Sequence, residues 1–289
     1  ATSNSFYMKK ISFVLAFFFF FLSACDKNTD SNAPKLVFQF KFDSTQVRLN
    51  NLGLPATMPS GHAAQSPKFH SMAAHYIELA PSAFTQLGAG EIVYNGPTTT
   101  QGGNEAIDFS KEIVVDENVP FFSIPLSDVA PGTYTYLRTS LAYQNYDVRF
   151  RALGFPFIGR LASFVGFNTY IKDFKIKDST VQVNANKLQG YWAFETNYGV
   201  FKGESANTTV PNPLASTSPI PTGSCVVTGA FPQALTITGN ETTDIVITIS
   251  LSTNKSFEWN DLNGNQTWEP LEGEMVVDMG LRGLIPLVE

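Results

Sequence analysis

The chain has 289 residues, a formal charge of −6 at neutral pH, 43% hydrophobic and only 15% charged side chains, with 25 Phe, 10 Tyr, 21 Gly and 17 Pro. That acidic balance argues against nucleic acid as a partner. The abundance of Thr, Val, Ile, Phe and Tyr, broken at short intervals by Gly and Pro, is the makeup of an all-β protein with an ample core.

The first element is an export signal. Met8-Lys9-Lys10 opens an apolar run of 12 residues, Ile11 to Leu22, which closes on the box Leu22-Ser23-Ala24-Cys25. The run is shorter than the roughly 20 apolar residues of a membrane span, and its positive start and small residues before cysteine fit a signal peptide. The segment resembles the bacterial lipoprotein pattern, which implies a diacylglyceryl group on the Cys25 thiol, cleavage before it and acylation of the new amino terminus. Such an anchor holds far more firmly than one acyl chain. Residues 1–24 are therefore set apart as upstream residues and signal peptide, with Ala1 to Tyr7 preceding the initiator Met8. Their removal takes two lysines and no acids, leaving 17 basic and 25 acidic side chains. With Cys25 assigned to lipid, Cys225 stands alone, and no internal disulfide is expected. In the strand-like run Ser224 to Thr228 it is read as a small buried hydrophobe.

Residues 25–34 form a polar, lipidated tether without periodicity. From Lys35 to Phe42, Phe38, Phe40 and Phe42 alternate with Gln39 and Lys41, which predicts a half-buried strand of an antiparallel sheet. Further strands are predicted at 75–79, 91–94, 111–115, 121–124, 133–143 and 147–153, then at 163–170, 173–176, 180–183, 190–195, 224–227, 234–238 and 243–250. Asn118 to Pro120, Ala130-Pro131-Gly132 and Phe155-Pro156 punctuate the middle. Residues 208–223, rich in Pro, Ser and Thr, are read as a long surface loop within one unit. No internal repeat is visible, so residues 35–289 are expected to form one antiparallel β-sandwich domain.

Two constellations carry candidate chemistry. In the segment from Asp261 to Glu272, oxygen-bearing side chains occupy offsets 1, 3, 5, 7, 9 and 12: Asp261, Asn263, Asn265, Thr267, Glu269 and Glu272. Calcium takes six to eight oxygens, and a turning loop offers them at alternate positions, with a later carboxylate binding through two. The alternative is an Asn-Gly hairpin turn whose side chains cap backbone groups. Gln266 stands where the sharp turn calls for glycine, and Leu271 replaces a second glycine. The three histidines, His62, His70 and His75, fall within 14 residues and beside Met58 and Met72. Imidazole with thioether suits copper, although no tight metal-ligand spacing accompanies them, and unrelated surface and edge histidines are the competing reading. Tyr134, Tyr136, Tyr143, Tyr146, Tyr170, Tyr191, Trp192 and Tyr198 are read mainly as core, with a binding platform as the alternative. No nucleophile elbow, phosphate loop or dinucleotide fingerprint is present, so the chain is read as a non-enzyme.

Val129 to Leu141 resembles the V-P-x-G-x-Y-x-x-L-R-x-x-L strand of MbnP-like proteins, a family of exported copper-binding β proteins associated with methanobactin. Gly190 to Glu195 is similar to that family's later Trp-containing segment. The segments AHYIELAP, SLAYQNYD, SFVGFNTYI and VVDMGLRGLIP resemble uncharacterised lipoproteins of Bacteroidetes bacteria. Asp26 and Asp30 resemble the acidic export signal of that group's surface lipoproteins, and Asp43-Ser44-Thr45 and Asp178-Ser179-Thr180 its O-glycan acceptor triplet. The expectation is a monomeric binding module for a protein or glycan ligand, lipid-anchored in the cell envelope at the outer membrane and facing the surface, with a calcium-stabilised loop. An envelope copper-binding role is the alternative, and a polysaccharide-active enzyme ranks third.

Overall fold

The computed structural model describes residues 33–205, 216, 218, 220–279, 281 and 283–289. The signal segment, Cys25, most of the tether and most of the 208–223 stretch lie outside the described residues. In chain order the strands are β1 (Lys35–Asp43), β2 (His62–Gln65), β3 (Lys68–Ala80), β4 (Glu91–Asn95), β5 (Thr98–Thr99), β6 (Ala106–Asp108), β7 (Val115–Asp116), β8 (Pro120–Pro125), β9 (Gly132–Ala152) and β10 (Phe155–Phe164). They continue with β11 (Asn168–Lys175), β12 (Thr180–Leu188), β13 (Tyr191–Thr196), β14 (Gly199–Glu204), β15 (Cys225–Ile237), β16 (Ile245–Ser252), β17 (Phe257–Asn260), β18 (Val276–Asp278) and β19 (Leu284–Val288). Short 3-10 turns occur at Phe109–Lys111, Leu126–Asp128 and Pro270–Glu272. The fold is all-β, a sandwich of packed, mostly antiparallel sheets, and Ala33–Glu289 forms one compact unit.

The spine is β9, 21 residues long. Its first half pairs with β15, its second half with β10, and β3 runs along its other edge. Around it lies the largest sheet, ordered β14-β13-β10-β9-β3-β4. A second sheet, β19-β16-β1-β8, lays Leu36, Phe38, Phe40, Ile247, Ile249 and Leu251 against Met72 and Leu79 of β3 and Leu137 and Leu141 of β9. A third, β12-β11-β6-β5, packs Ile171, Phe174 and Val181 on Phe164, Tyr191 and Ala193. The smallest, β18-β17-β2, sets Ala63, Phe257 and Trp259 on Tyr146, Val148, Phe150, Leu161 and Phe194. Each such fully buried Phe or Leu stabilises the fold by about 1.5–3 kcal/mol.

Covering by other sheets explains why β9 is buried without a break from Leu137 to Tyr146 and alternates only beyond it. Its hairpin to β10 turns on two residues, Leu153 and Gly154, both left-handed (φ 51° and 81°). That geometry matches the twist of the flanking strands and leaves the Leu153 side chain in solvent.

Several expectations change in detail. The Phe face of β1 is as predicted, but β1 pairs antiparallel only with β8; with β16 it runs parallel, Leu36 opposite Ile245 through Asp43 opposite Ser252. The predicted strands 133–143 and 147–153 are one continuous strand, because the polar Gln144 and Asn145 between them are themselves buried. Residues 224–227 and 234–238 likewise join in β15, across a register shift between Ala230 and Leu235. Residues 163–170 straddle the β10 to β11 turn, where a Cβ on Gly166 would lie 2.4 Å from the Ile107 side-chain tip and force it to shift. Pro156, expected to break the chain, sits inside β10 opposite Arg151, near the hairpin tip. Residues 111–115 are the end of a 3-10 turn and an extended link into β7.

Candidate functional site

The segment after β17 is a turn built from its own side chains. Asp261 accepts hydrogen bonds from the backbone amides of Gly264 (2.9 Å) and Gln266 (3.0 Å), Asn263 from that of Asn265 (3.0 Å), and Asn265 from that of Thr267 (2.7 Å). The Asn263 and Asn265 amides both donate to one Glu269 oxygen, at 2.8 and 2.7 Å, and they hold that carboxyl below the usual carboxylate range. Side chains at offsets 3, 5 and 9 thus meet, while that at offset 1 ties down the backbone of the same turn. Bringing Asn263 and Asn265 oxygens onto a cation requires each amide to turn about its terminal bond.

Glu272, the twelfth position, stays exposed on the 3-10 turn. The carboxylate that enters the loop is Glu274. Left-handed Gly273 (φ 89°) ends the turn, and Glu274, 4% exposed, accepts from the amides of Leu262 (3.2 Å) and Glu269 (2.8 Å). The sequence signal for it was its place just after a glycine, two residues beyond the expected spacing. Gln266 occupies the left-handed region (φ 57°), as the sequence position demanded of a glycine.

This loop is the wall of a double cavity. Trp268 packs on Phe257, Phe194 and Phe150, with ring centroids 4.9, 5.9 and 6.1 Å apart, and its indole N–H donates to the Glu274 carbonyl (3.4 Å). Bordering the Phe150 and Trp268 residues is a cavity of about 740 Å³ that mixes Phe157 and Ile158 with Gln65, Arg149, Arg151, Asn197 and Gln266. The same two residues also border an apolar cavity of about 500 Å³, walled by Leu161, Trp192, Phe194, Phe257 and Met279. Exposed Leu153, Tyr198, Phe201, Leu271 and Met275, from two hairpins and the loop, ring its mouth. Volumes and linings of this kind are those of small-molecule sites.

The three histidines each meet a carboxylate of their own. His62 bonds Glu258, which also pairs with Arg48; burial pushes the Glu258 carboxyl up, but these two partners hold it below the usual range. His70 Nε2 lies 2.8 Å from Asp147, itself held low by Arg160 and His70 against the effect of burial. His75 Nδ1 lies 3.0 Å from Glu112, whose carboxyl burial pushes up. Met72 is part of the main core and Met58 is half-buried. Among the described residues no group of three His, Cys, Asp or Glu side chains is placed to hold a metal ion. The 261–272 segment relies instead on Asn and Thr oxygens beside its carboxylates.

Of the aromatics, Tyr134, Tyr143, Tyr146, Tyr170 and Tyr191 are buried, whereas Tyr198 is exposed at the cavity rim. Cys225 is buried in the main core. Sequence reasoning also missed a buried staple: Glu78 accepts from Tyr76 Oη and from the amides of Gly88 and Gly90, faces Arg138, and ties down the loop after β3. No family model, no curated protein and no solved structure matches this chain.

Proposed function

We propose that this chain is an exported, lipid-anchored, non-catalytic binding module of the cell envelope, that its ligand meets the two cavities walled by Trp268, and that the 261–272 segment takes calcium. The observation that carries the binding role is the apolar cavity itself, with large apolar side chains exposed around its mouth on two hairpin tips and a loop. Contiguous exposed apolar surface around a concavity marks a ligand or partner site. Export and lipidation rest on the Met8 to Cys25 segment. Support for calcium comes from Asn263 and Asn265 meeting at Glu269 and from the Asp261 carboxylate folded into the same turn. A copper role at His62, His70 and His75 has less support, since each imidazole is engaged by a separate carboxylate.

The test uses the unlipidated chain from Asp26 and its Trp268→Ala and Met275→Ser variants, probed on glycan and peptide arrays and with an apolar fluorescent dye. Capture that depends on both side chains is expected; a parent indistinguishable from both variants on every probe ends the binding reading. Metal content and melting with and without EDTA address the loop. Stoichiometric calcium and a lower melting point in EDTA are expected, and metal-free protein with an unchanged melt removes calcium.

A further inference from the structure

The two cavities differ in what they have left to offer. Within the apolar cavity the side-chain polar groups of Trp192, Thr196 and Glu274 are already engaged, and the Tyr198 hydroxyl belongs to the exposed rim. The Trp192 indole donates to Ser205 Oγ (2.8 Å), Thr196 Oγ1 accepts from the Tyr198 amide (3.1 Å), and the Glu274 carboxylate accepts two backbone amides. A sugar entering there would give up its hydrogen bonds to water without replacement, at a cost of roughly 1–3 kcal/mol for each unpaired group. A hydrocarbon chain loses nothing and gains the burial. At roughly 30 Å³ for each methylene-sized group, the volume of a liquid water, a cavity of about 500 Å³ houses on the order of 16 of them.

The adjoining cavity supplies charge. Arg151 is turned toward Glu269 (3.8 Å), but Arg149 forms no ion pair among the described residues. Its backbone, not its guanidinium, engages Gln65, whose side chain donates to the Arg149 carbonyl (2.7 Å) and accepts from its amide (2.8 Å). An unopposed guanidinium on an acidic protein is a seat for a carboxylate, which it meets through two parallel hydrogen bonds. The seat and the apolar cavity share Phe150 and Trp268 as their common wall.

We infer that the double cavity binds a long-chain carboxylate, its hydrocarbon tail in the apolar cavity and its head on Arg149, draped over the Phe150 and Trp268 ridge. This names the ligand class of the site proposed above and rests on that reading.

The probes are palmitate below its aggregation limit and the uncharged hexadecanol, titrated into the unlipidated chain and followed by tryptophan emission and calorimetry. Palmitate is expected to bind one to one. Arg149→Gln, which leaves the backbone bonds to Gln65 in place, is expected to weaken palmitate about tenfold and leave hexadecanol unchanged. Met275→Asp, at an exposed rim position, is expected to weaken both, with melting curves confirming that each variant is folded. Absence of saturable palmitate binding by the parent overturns the inference, as does equal palmitate affinity in Arg149→Gln or indifference to Trp268→Ala. Co-sedimentation with phosphatidylglycerol vesicles without one-to-one palmitate binding also overturns it and makes the face a membrane contact. Glycan or peptide capture that needs Trp268, with no palmitate binding, defeats the amphiphile alone and leaves the binding module standing.

Discussion

Replacing Glu274 should cost far more stability than replacing Glu272, the residue that sequence spacing favours. The Glu274 carboxylate is 4% exposed and accepts the amides of Leu262 and Glu269 at 3.2 and 2.8 Å, bridging the two ends of the loop. A hydrogen bond to a charged group is worth about 1.5–3 kcal/mol. With the longer bond at the low end, and with partial access of water to the freed amides, Glu274→Ala should lose about 3 kcal/mol. At about 2–4 °C per kcal/mol for a domain of this size, the melting point falls by about 6–12 °C. Glu274→Gln keeps one acceptor and turns a donor toward the other amide, so it should lose about half as much. Glu272 is exposed and its side chain makes no bond within the loop, so in EDTA Glu272→Ala should stay within about 0.5 kcal/mol of the parent. Circular dichroism melts in EDTA and in calcium measure all three. A Glu274→Ala protein that melts with the parent, or a Glu272→Ala protein that melts lower than Glu274→Ala in EDTA, refutes the assignment of Glu274 as the internal brace. Loss of a calcium-induced shift in Glu272→Ala alone would make Glu272 a metal ligand without disturbing that brace.

Other perturbations are equally direct. The Thr45 hydroxyl, 2.6 Å away, is the main cause that lowers the Asp43 carboxyl to about 2. A depressed folded-state value contributes stability that is present above the ordinary value of 3.8 and is lost as pH falls toward 2. Asp43→Asn should therefore flatten the fall of the urea midpoint over that window, and a fall as steep as the parent's would assign the acid limb elsewhere. Gln266→Gly relieves a left-handed residue (φ 57°), worth about 1–2 kcal/mol, against glycine's entropic cost of about 0.5–1 kcal/mol. The net expectation is a melting point higher by a few degrees, and a lower one would show that the Gln266 side chain supports the loop. Gly96→Ala puts a Cβ 2.6 Å from His75 Nδ1 and 2.8 Å from Glu112 Oε1, so it should displace that buried pair and cost about 1–3 kcal/mol by urea unfolding. An unchanged midpoint would mean the 96–97 segment yields freely.

The local chemistry of single segments was readable in the sequence. Alternation placed Phe38 and Phe40 inward on β1, turn residues separated most strands, and the oxygen spacing from Asp261 marked a turn in which the side chains of 263 and 265 meet that of 269. These features depend on neighbours two to eight residues away, and period and spacing record such distances. What depends on partners far along the chain was not readable. Residue order carries no mark that β16, some 209 positions on, would run parallel to β1. Nor does it show that Gln144 and Asn145 would lie inside a spine strand covered by other sheets, so a polar pair that reads as a break is buried in an unbroken strand. The histidines cluster in sequence, but Glu258, Asp147 and Glu112, each from a different segment, engage them one by one. The cavities arise the same way: Phe150, Phe194, Phe257 and Trp268 come from four separate stretches, and only the packing of the sheets brings their rings into one wall. Side-chain pattern fixes which face of a strand is buried, whereas sheet pairing fixes what that face meets, and the candidate site is made of such meetings.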